Sequence, residues 1–381
     1  MVLAPNNWNG PWMNRQQLFS RMGKMHNVIY STGPFYSWQI KSQTFINASF
    51  FSTTKISDNV IDFGASKLHT RVKKIPFLDW LAKKLFGLSI KKQTSSNKES
   101  ILYLFHPQFS DMQDVIEHDI LVYHAYDDFS KQGGYTDEVR LNEKSLVLKS
   151  NIVFASSRSI KNRLETLSGR GDIIFLPNGV DYTLFSNENI SECSDLKDIP
   201  HPRIGYVGSI NKKIDLKLLA FLSESLPHYS FVIVGQVGLI LDEDKGLLDE
   251  LIGNRNNVYF LGNKKPSEIA SYMHSFDVNT MIYKSDNSTW ASSGYPLKLH
   301  EYLATGKPVV SANIEAVREF SDVVTLAKTR EEWLQAVIDS SADKDLSLIE
   351  LRRGVASNNT WDSRVEQIEQ AINKNIEGLS V

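Results

Sequence analysis

Lys298 and Glu301 stand three residues apart in Tyr-Pro-Leu-Lys-Leu-His-Glu-Tyr-Leu-Ala-Thr-Gly-Lys-Pro-Val-Val-Ser, residues 295–311 of a 381-residue chain. On a helix, that spacing makes a cation and a carboxylate neighbours. At a helix start opening onto a strand edge, the pair could hold a phosphate and a pair of sugar hydroxyls. The flanking residues supply the frame. Pro296 suits a first helical turn, where its missing N–H would be unpaired anyway. Gly306 suits the helix exit, and Pro308 blocks further helix. Leu299 and Leu303 face the core from another side, and Val309 and Val310 open a buried strand. The plain alternative is a helix-turn-strand with a surface Lys–Glu pair, worth about 0.2–0.5 kcal/mol.

Three other stretches carry candidate chemistry. Gly205-Tyr206-Val207-Gly208-Ser209 leads into Lys212 and Lys213. Glycines after a strand let backbone N–H groups approach a phosphate, and lysines neutralise it. Val122-Tyr123-His124-Ala125-Tyr126-Asp127-Asp128 reads as a buried strand whose end offers His124, Asp127 and Asp128 for acid–base work. Either aspartate could instead cap the next helix. Asp242-Glu243-Asp244 has the form of an Asp-x-Asp metal motif, but Lys245 and Gly246 follow it. It reads as a solvated acidic loop, and no metal site is expected.

Length favours two domains, each large enough for its own core. A hydrophobic content of 41% and a charged content of 23% are those of an ordinary globular protein, and the net charge of −2 gives no pull toward nucleic acid. Cys193 is the single cysteine, which excludes an intrachain disulfide and a cysteine zinc site and favours a reducing compartment. The N-terminus lacks a signal-peptide pattern, and no run of about 18 apolar residues occurs, so a cytoplasmic location is expected.

Short β-branched runs alternate with helical patterns, the α/β signature. Strands are expected near residues 1–3, 28–30, 101–105, 120–123, 152–154 and 173–176, then near 204–207, 231–234, 258–261, 278–282, 309–311 and 323–326. Residues 40–66 suggest no more than a hairpin. Each half reads as a doubly wound parallel sheet with ligands at the carboxyl ends of its strands. The expected division is 1–180, 181–358 and an amphipathic terminal helix over 359–381, built on Trp361, Val365, Ile368 and Ile372. Residues 67–98 hold nine Lys/Arg and one acid, Asp79, around Trp80, Leu81, Leu85 and Phe86. Two readings fit them equally: a basic amphipathic helix on an anionic membrane, or a core-facing helix with a solvated basic back.

The segment 295–311, with Pro177-Asn178-Gly179-Val180-Asp181, resembles the GT-B glycosyltransferases of family 4, above all their bacterial teichuronic-acid and exopolysaccharide branch. The resemblance implies two Rossmann-like domains facing across a cleft and a terminal helix crossing back to the first. It implies an acceptor domain first and a donor domain second. Glu301 would grip ribose, Lys298 and Lys213 the diphosphate beside Gly208, and backbone at Gly262 the nucleobase. Ser209 stands where the family has arginine. Ser293, followed by Gly294 and Tyr295, stands where a second glutamate is usual, eight residues before Glu301. His124, Asp127 and Asp128 match the family's catalytic region, with Asp127 favoured. Asn9, Gly10 and Arg15 resemble an acceptor-side loop, although an ordinary turn fits them as well.

The implied activity is transfer from a UDP- or GDP-sugar to a hydroxyl of a polysaccharide or lipid-linked acceptor, without metal or other cofactor. The alternatives are a non-catalytic nucleotide-sugar-binding subunit and a GT-B sugar-nucleotide epimerase, whose interdomain His and Glu residues are not evident.

Overall fold

The computed structural model describes residues 1–50, 53–94, 99–188, 190–285 and 290–379. The chain forms two compact units, Met1–Pro177 with Arg364–Val381, and Asn178–Ser363.

The first unit holds β1 (Val2–Leu3), β2 (Val28–Ser31), β3 (Thr54–Lys55), β4 (Val60–Asp62), β5 (Ile101–Leu104), β6 (Ile120–Ala125), β7 (Ile152–Ala155) and β8 (Ile174–Phe175). They lie in the order β3-β4-β2-β1-β5-β6-β7-β8. Among the described residues of this unit, only the β3–β4 edge pair of strands is antiparallel. The central strands are unbroken apolar runs, such as Ile-Leu-Tyr-Leu in β5, as a parallel sheet covered on both faces requires. Strand order reverses direction between β1 and β5, so the residues just beyond these strands border the crevice where such sheets collect ligands.

Two details of this unit refine the sequence expectation. The hairpin within 40–66 is present as β3 and β4, but a short helix, Gln43–Asn47, precedes it, capped where Ser42 Oγ accepts from the Phe45 N–H at 3.2 Å. Residues 51–52 of that expectation lie outside the described residues. The helix Pro76–Lys91 buries Ala82, Phe86 and Ile90. Phe86, which the two readings of this helix placed either outward or toward the core, is wholly enclosed, because the core claims that side of the helix.

The second unit holds β9 (Arg203–Val207), β10 (Ser230–Val234), β11 (Val258–Gly262), β12 (Val278–Met281), β13 (Val309–Ala312) and β14 (Thr325–Ala327). All pairs are parallel, in the order β11-β10-β9-β12-β13-β14, with the reversal between β9 and β12. The acidic run at 242–244 is not the expected solvated loop. It is the first turn of the helix Asp242–Gly253, where carboxylates favour the positive end of the helix dipole. Asp244 is buried against Lys284, with Nζ 2.7 Å from its carboxylate.

The division falls at Pro177/Asn178 rather than 180/181. The Asn178 side chain donates to the Tyr295 carbonyl at 2.9 Å and Val180 pairs with Thr360, which ties the turn to the second unit. The last helix, Trp361–Leu379, buries Trp361, Val365, Ile368 and Ile372. From Arg364 onward it belongs to the first unit, where Arg364 Nε donates to the Pro177 carbonyl at 3.0 Å.

Candidate functional site

In the second unit the exits of three adjacent strands are glycines. Gly208, Gly235 and Gly262 follow or end β9, β10 and β11 with φ of +144°, +149° and +68°, backbone that favours glycine. Gly208 N–H donates to the Val234 carbonyl and Gly235 N–H to the Gly262 carbonyl, each at 2.8 Å. A Cβ at Gly235 would meet the Gly208 carbonyl oxygen at 2.0 Å. The exits therefore form one edge of bare backbone, open to a ligand's close approach.

Lys298 closes this edge. It opens the helix Lys298–Ala304, which is fixed to β9 where the Val207 N–H donates to the Tyr302 hydroxyl at 2.9 Å. A Cβ on Gly208 would come within 2.8 Å of Lys298 Nζ. That ammonium donates to the Tyr283 hydroxyl at 2.5 Å and reaches the Tyr206 hydroxyl at 3.4 Å. It also lies 4.6 Å from the Tyr206 ring centroid. Lys298 is thus not half of a surface ion pair with Glu301. Among the described residues, no hydrogen bond or ion pair reaches the Glu301 carboxylate. Burial raises its pKa from 4.5 to about 7, and the nearby Lys298 charge offsets only part of that.

Lys213 Nζ lies 4.4 Å from the Trp290 ring centroid, and Trp290 packs 5.2 Å from Tyr283. Two backbone bonds zip the Lys213 segment to the exit of β12, Lys284 N–H to the Lys213 carbonyl at 2.9 Å and Asp215 N–H to the Ile282 carbonyl at 3.0 Å. Tyr206, Tyr283 and Trp290 form an aromatic shelf carrying both lysines. Ser209 accepts the Tyr206 hydroxyl on its carbonyl at 3.1 Å. Gly294 is required by Trp290, since a Cβ there would stand 1.9 Å from the indole. Ser293 is buried with its N–H on the Trp290 carbonyl at 3.1 Å, and the Tyr295 hydroxyl meets His300 Nε2 at 2.7 Å. These last three residues shape the shelf from behind. A cation against the Gly208 exit, a second cation on the same aromatic shelf and an unbonded carboxylate one helical turn away can take a compact polyanion and an adjoining pair of hydroxyls.

In the first unit the expected residues have unequal freedom. His124 lies inside β6, fully enclosed, with Nδ1 2.9 Å from the Tyr103 hydroxyl. Burial first, and then the Arg15 charge, pushes its pKa down to about 3, so the ring is neutral. Asp128 caps the turn Phe129–Lys131, accepting from the Ser130 N–H at 3.2 Å, and lies 2.9 Å from Arg163 Nε. Arg163 in turn grips the buried Glu143. Asp127 is half-buried, accepting from the Asp128 N–H and from Gln132 Nε2 at 2.9 Å each. Asn9 is exposed, and Gly10 closes a turn onto the Asn7 carbonyl at 3.1 Å. Arg15 instead turns inward, stacked 4.1 Å from the Tyr126 ring with Nη2 on the Asn6 side chain at 2.7 Å.

The aromatic shelf escaped sequence reasoning. Tyr206 and Tyr283 stand at the exits of β9 and β12, a signal visible only once strand order is known. Among the described residues no group of three or more His, Cys, Asp or Glu could hold a metal, and no helix is long and apolar enough to cross a membrane.

Solved GT-B glycosyltransferases share this fold of two parallel-sheet units. Sucrose-phosphate synthase from Thermosynechococcus elongatus superposes with a TM-score of 0.70 at 14% identity, covering 96% of this chain and 92% of that one. Anabaena HepE, solved with UDP and glucose, gives 0.64 at 15% identity and 98% coverage of each chain. The fold is GT-B, and residues 201–343 of the second unit match the family model Glycosyl transferases group 1. TuaH of Bacillus subtilis (strain 168), whose name assigns it to teichuronic acid biosynthesis as a glycosyltransferase, is 26% identical over 240 residues. That match spans 60% of this chain and 58% of the relative.

Proposed function

We propose that the protein is a metal-independent glycosyltransferase that moves a sugar from a UDP- or GDP-sugar to a hydroxyl of a cell-surface polysaccharide or lipid-linked oligosaccharide. One observation carries this reading: Glu301, an unbonded carboxylate with its pKa held near 7, lies one turn from a lysine that abuts the glycine exit of β9. Ribose hydroxyls would donate to Glu301. Lys298 and Lys213 would leave their aromatic rings for the diphosphate, with Gly208 and Ser209 offering backbone. The nucleobase would lie by Gly262. The name of TuaH supports a polysaccharide acceptor, and HepE bound to UDP and glucose supports the donor class.

Catalysis would rest on electrostatic stabilisation of the departing diphosphate by the two lysines. Asp127 would take the acceptor proton, since Asp128 is committed to Arg163 and His124 is enclosed. Asn9, Gly10 and Arg15 would border the acceptor. The protein would work on the cytoplasmic side at the inner face of the plasma membrane, with the segment 67–98 toward anionic lipid. Calorimetry with UDP and GDP on the wild type and Glu301→Ala tests the donor site. Mass spectrometry of products from mixed donors and acceptors tests turnover. A second reading, a nucleotide-sugar-binding subunit without turnover, is favoured by the serines at 209 and 293 and predicts binding with no product.

A further inference from the structure

The segments that leave β1 and β2 carry aromatic rings and amides but no charge. Residues 4–13 read Ala-Pro-Asn-Asn-Trp-Asn-Gly-Pro-Trp-Met and residues 32–40 read Thr-Gly-Pro-Phe-Tyr-Ser-Trp-Gln-Ile, in a chain that is 23% charged. β1 and β2 are parallel neighbours, so both segments leave the same carboxyl edge of the sheet, beside the crevice between β1 and β5. Each presents an exposed indole: Trp12 is 50% and Trp38 64% exposed. Both indoles stand on fixed backbone. Trp8 is buried 5.0 Å from the Tyr30 ring and meets Trp12 at 6.5 Å and 63°. Gln16 Nε2 donates to the Asn7 carbonyl at 3.1 Å, and the Tyr30 hydroxyl donates to the Asn6 carbonyl at 2.8 Å. Trp38 lies in the turn Ser37–Gln39 and stacks on Tyr36 at 4.4 Å, while the Ser37 N–H donates to the Arg71 carbonyl at 2.8 Å.

A large ring that is held in place yet left to solvent marks a contact surface. Among the described residues no hydrogen bond reaches either indole N–H. Asn7 and Asn9, next to Trp12 in its loop, are exposed as well. A sugar ring has a face of C–H bonds, which lies against an aromatic ring, and a rim of hydroxyls, which pair with amides and with an indole N–H. Rings and amides without charge match that ligand and do not select an anion. Of the cations around Tyr36, Arg71 is buried and bound to Asp79 and Asp111, and Lys73 Nζ lies 5.6 Å from the ring. We propose that Trp12 and Trp38 stack on sugar rings of the acceptor, so that the acceptor offers this edge a saccharide of two or more units and not a lipid phosphate. The inference rests on the transferase reading, in which the first unit takes the acceptor. Such an acceptor is itself the product of an earlier glycosyl transfer.

The test is saturation-transfer NMR of the full-length protein with cellotetraose, chitotetraose and, for comparison, octyl phosphate. The wild type should saturate the ring C–H protons of at least one tetrasaccharide and leave octyl phosphate unsaturated. Trp12→Ala and Trp38→Ala should each weaken binding of that tetrasaccharide by roughly three- to tenfold, the worth of one ring contact. Trp12→Leu and Trp38→Leu, apolar but without a ring, should behave as the alanine variants do, and Trp12→Phe and Trp38→Phe should keep most of the affinity. UDP affinity by calorimetry and the melting temperature should not change in these variants, which separates loss of a platform from loss of the fold. The proposal is overturned if neither tetrasaccharide binds the wild type, if octyl phosphate alone binds, or if alanine or leucine variants bind as tightly as the wild type. It is also overturned if sedimentation shows a dimer that Trp12→Ala or Trp38→Ala breaks. A wild type that binds a tetrasaccharide but not UDP would count against the donor site and leave this inference standing, and UDP binding without saccharide binding would do the reverse.

Discussion

The Lys298 ammonium lies 2.5 Å from the Tyr283 hydroxyl, so an aromatic shelf, and not the carboxylate of Glu301, holds the lysine that opens this helix. The arrangement separates two charges that sequence spacing makes neighbours. The cation sits against the bare backbone of Gly208, while the acid, half-buried, has no donor among the described residues. Each is then available to a different part of one ligand.

If Lys298 meets a diphosphate, Lys298→Ala should weaken UDP binding by about thirtyfold or more, the low end for losing a charged partner. Uridine, which has no phosphate, should bind the variant as it binds the wild type. Calorimetry with both ligands checks this, and an equal loss for both would remove Lys298 from the phosphate site.

Glu301 predicts a pH dependence. Its folded pKa, about 7, lies above the ordinary 4.5, so between these values the folded state holds more protons than the unfolded one. Its contribution to stability is present at low pH and is lost as pH rises toward 7, by at most roughly 3 kcal/mol. Ribose hydroxyls donating to the ionised carboxylate would pull the pKa back down. UDP binding near pH 6 should therefore release a proton, seen as a buffer-dependent calorimetric enthalpy. Glu301→Gln should abolish that release, and Glu301→Ala should lower affinity by tens-fold or more.

Asp127→Asn and Asp128→Asn should behave differently. Asp128 is buried beside Arg163, and removing one partner of such a pair typically costs about 3–5 kcal/mol, so thermal melting should fall clearly. Asp127→Asn should melt near the wild type, keep its UDP affinity, and lose at least roughly a hundredfold in turnover. Full turnover in Asp127→Asn would move the base elsewhere.

Transfer should survive EDTA, because Lys213 and Lys298 can neutralise the diphosphate without a divalent ion. Activity that vanished with EDTA and returned with manganese would demand a metal site.

Much of this protein is legible in its sequence because its signals are local. Parallel strands buried on both faces write themselves as apolar runs, which is why twelve strand positions could be read, from Val2–Leu3 to Thr325–Ala327. Gly306, with φ of +77°, and the strand after Pro308 follow from backbone chemistry alone. The spacing of Lys298 and Glu301 was equally visible. What their side chains touch was not. Strand order brings Tyr206 and Tyr283, 77 positions apart, to neighbouring exits of β9 and β12, and there they take Lys298 away from Glu301. Packing alone decided that His124 is enclosed, that Asp244 is buried on Lys284 and that Phe86 faces inward. Sequence periodicity names the faces of a helix, but only the tertiary fold decides which of two apolar faces meets the core, because burial depends on neighbours distant in the chain.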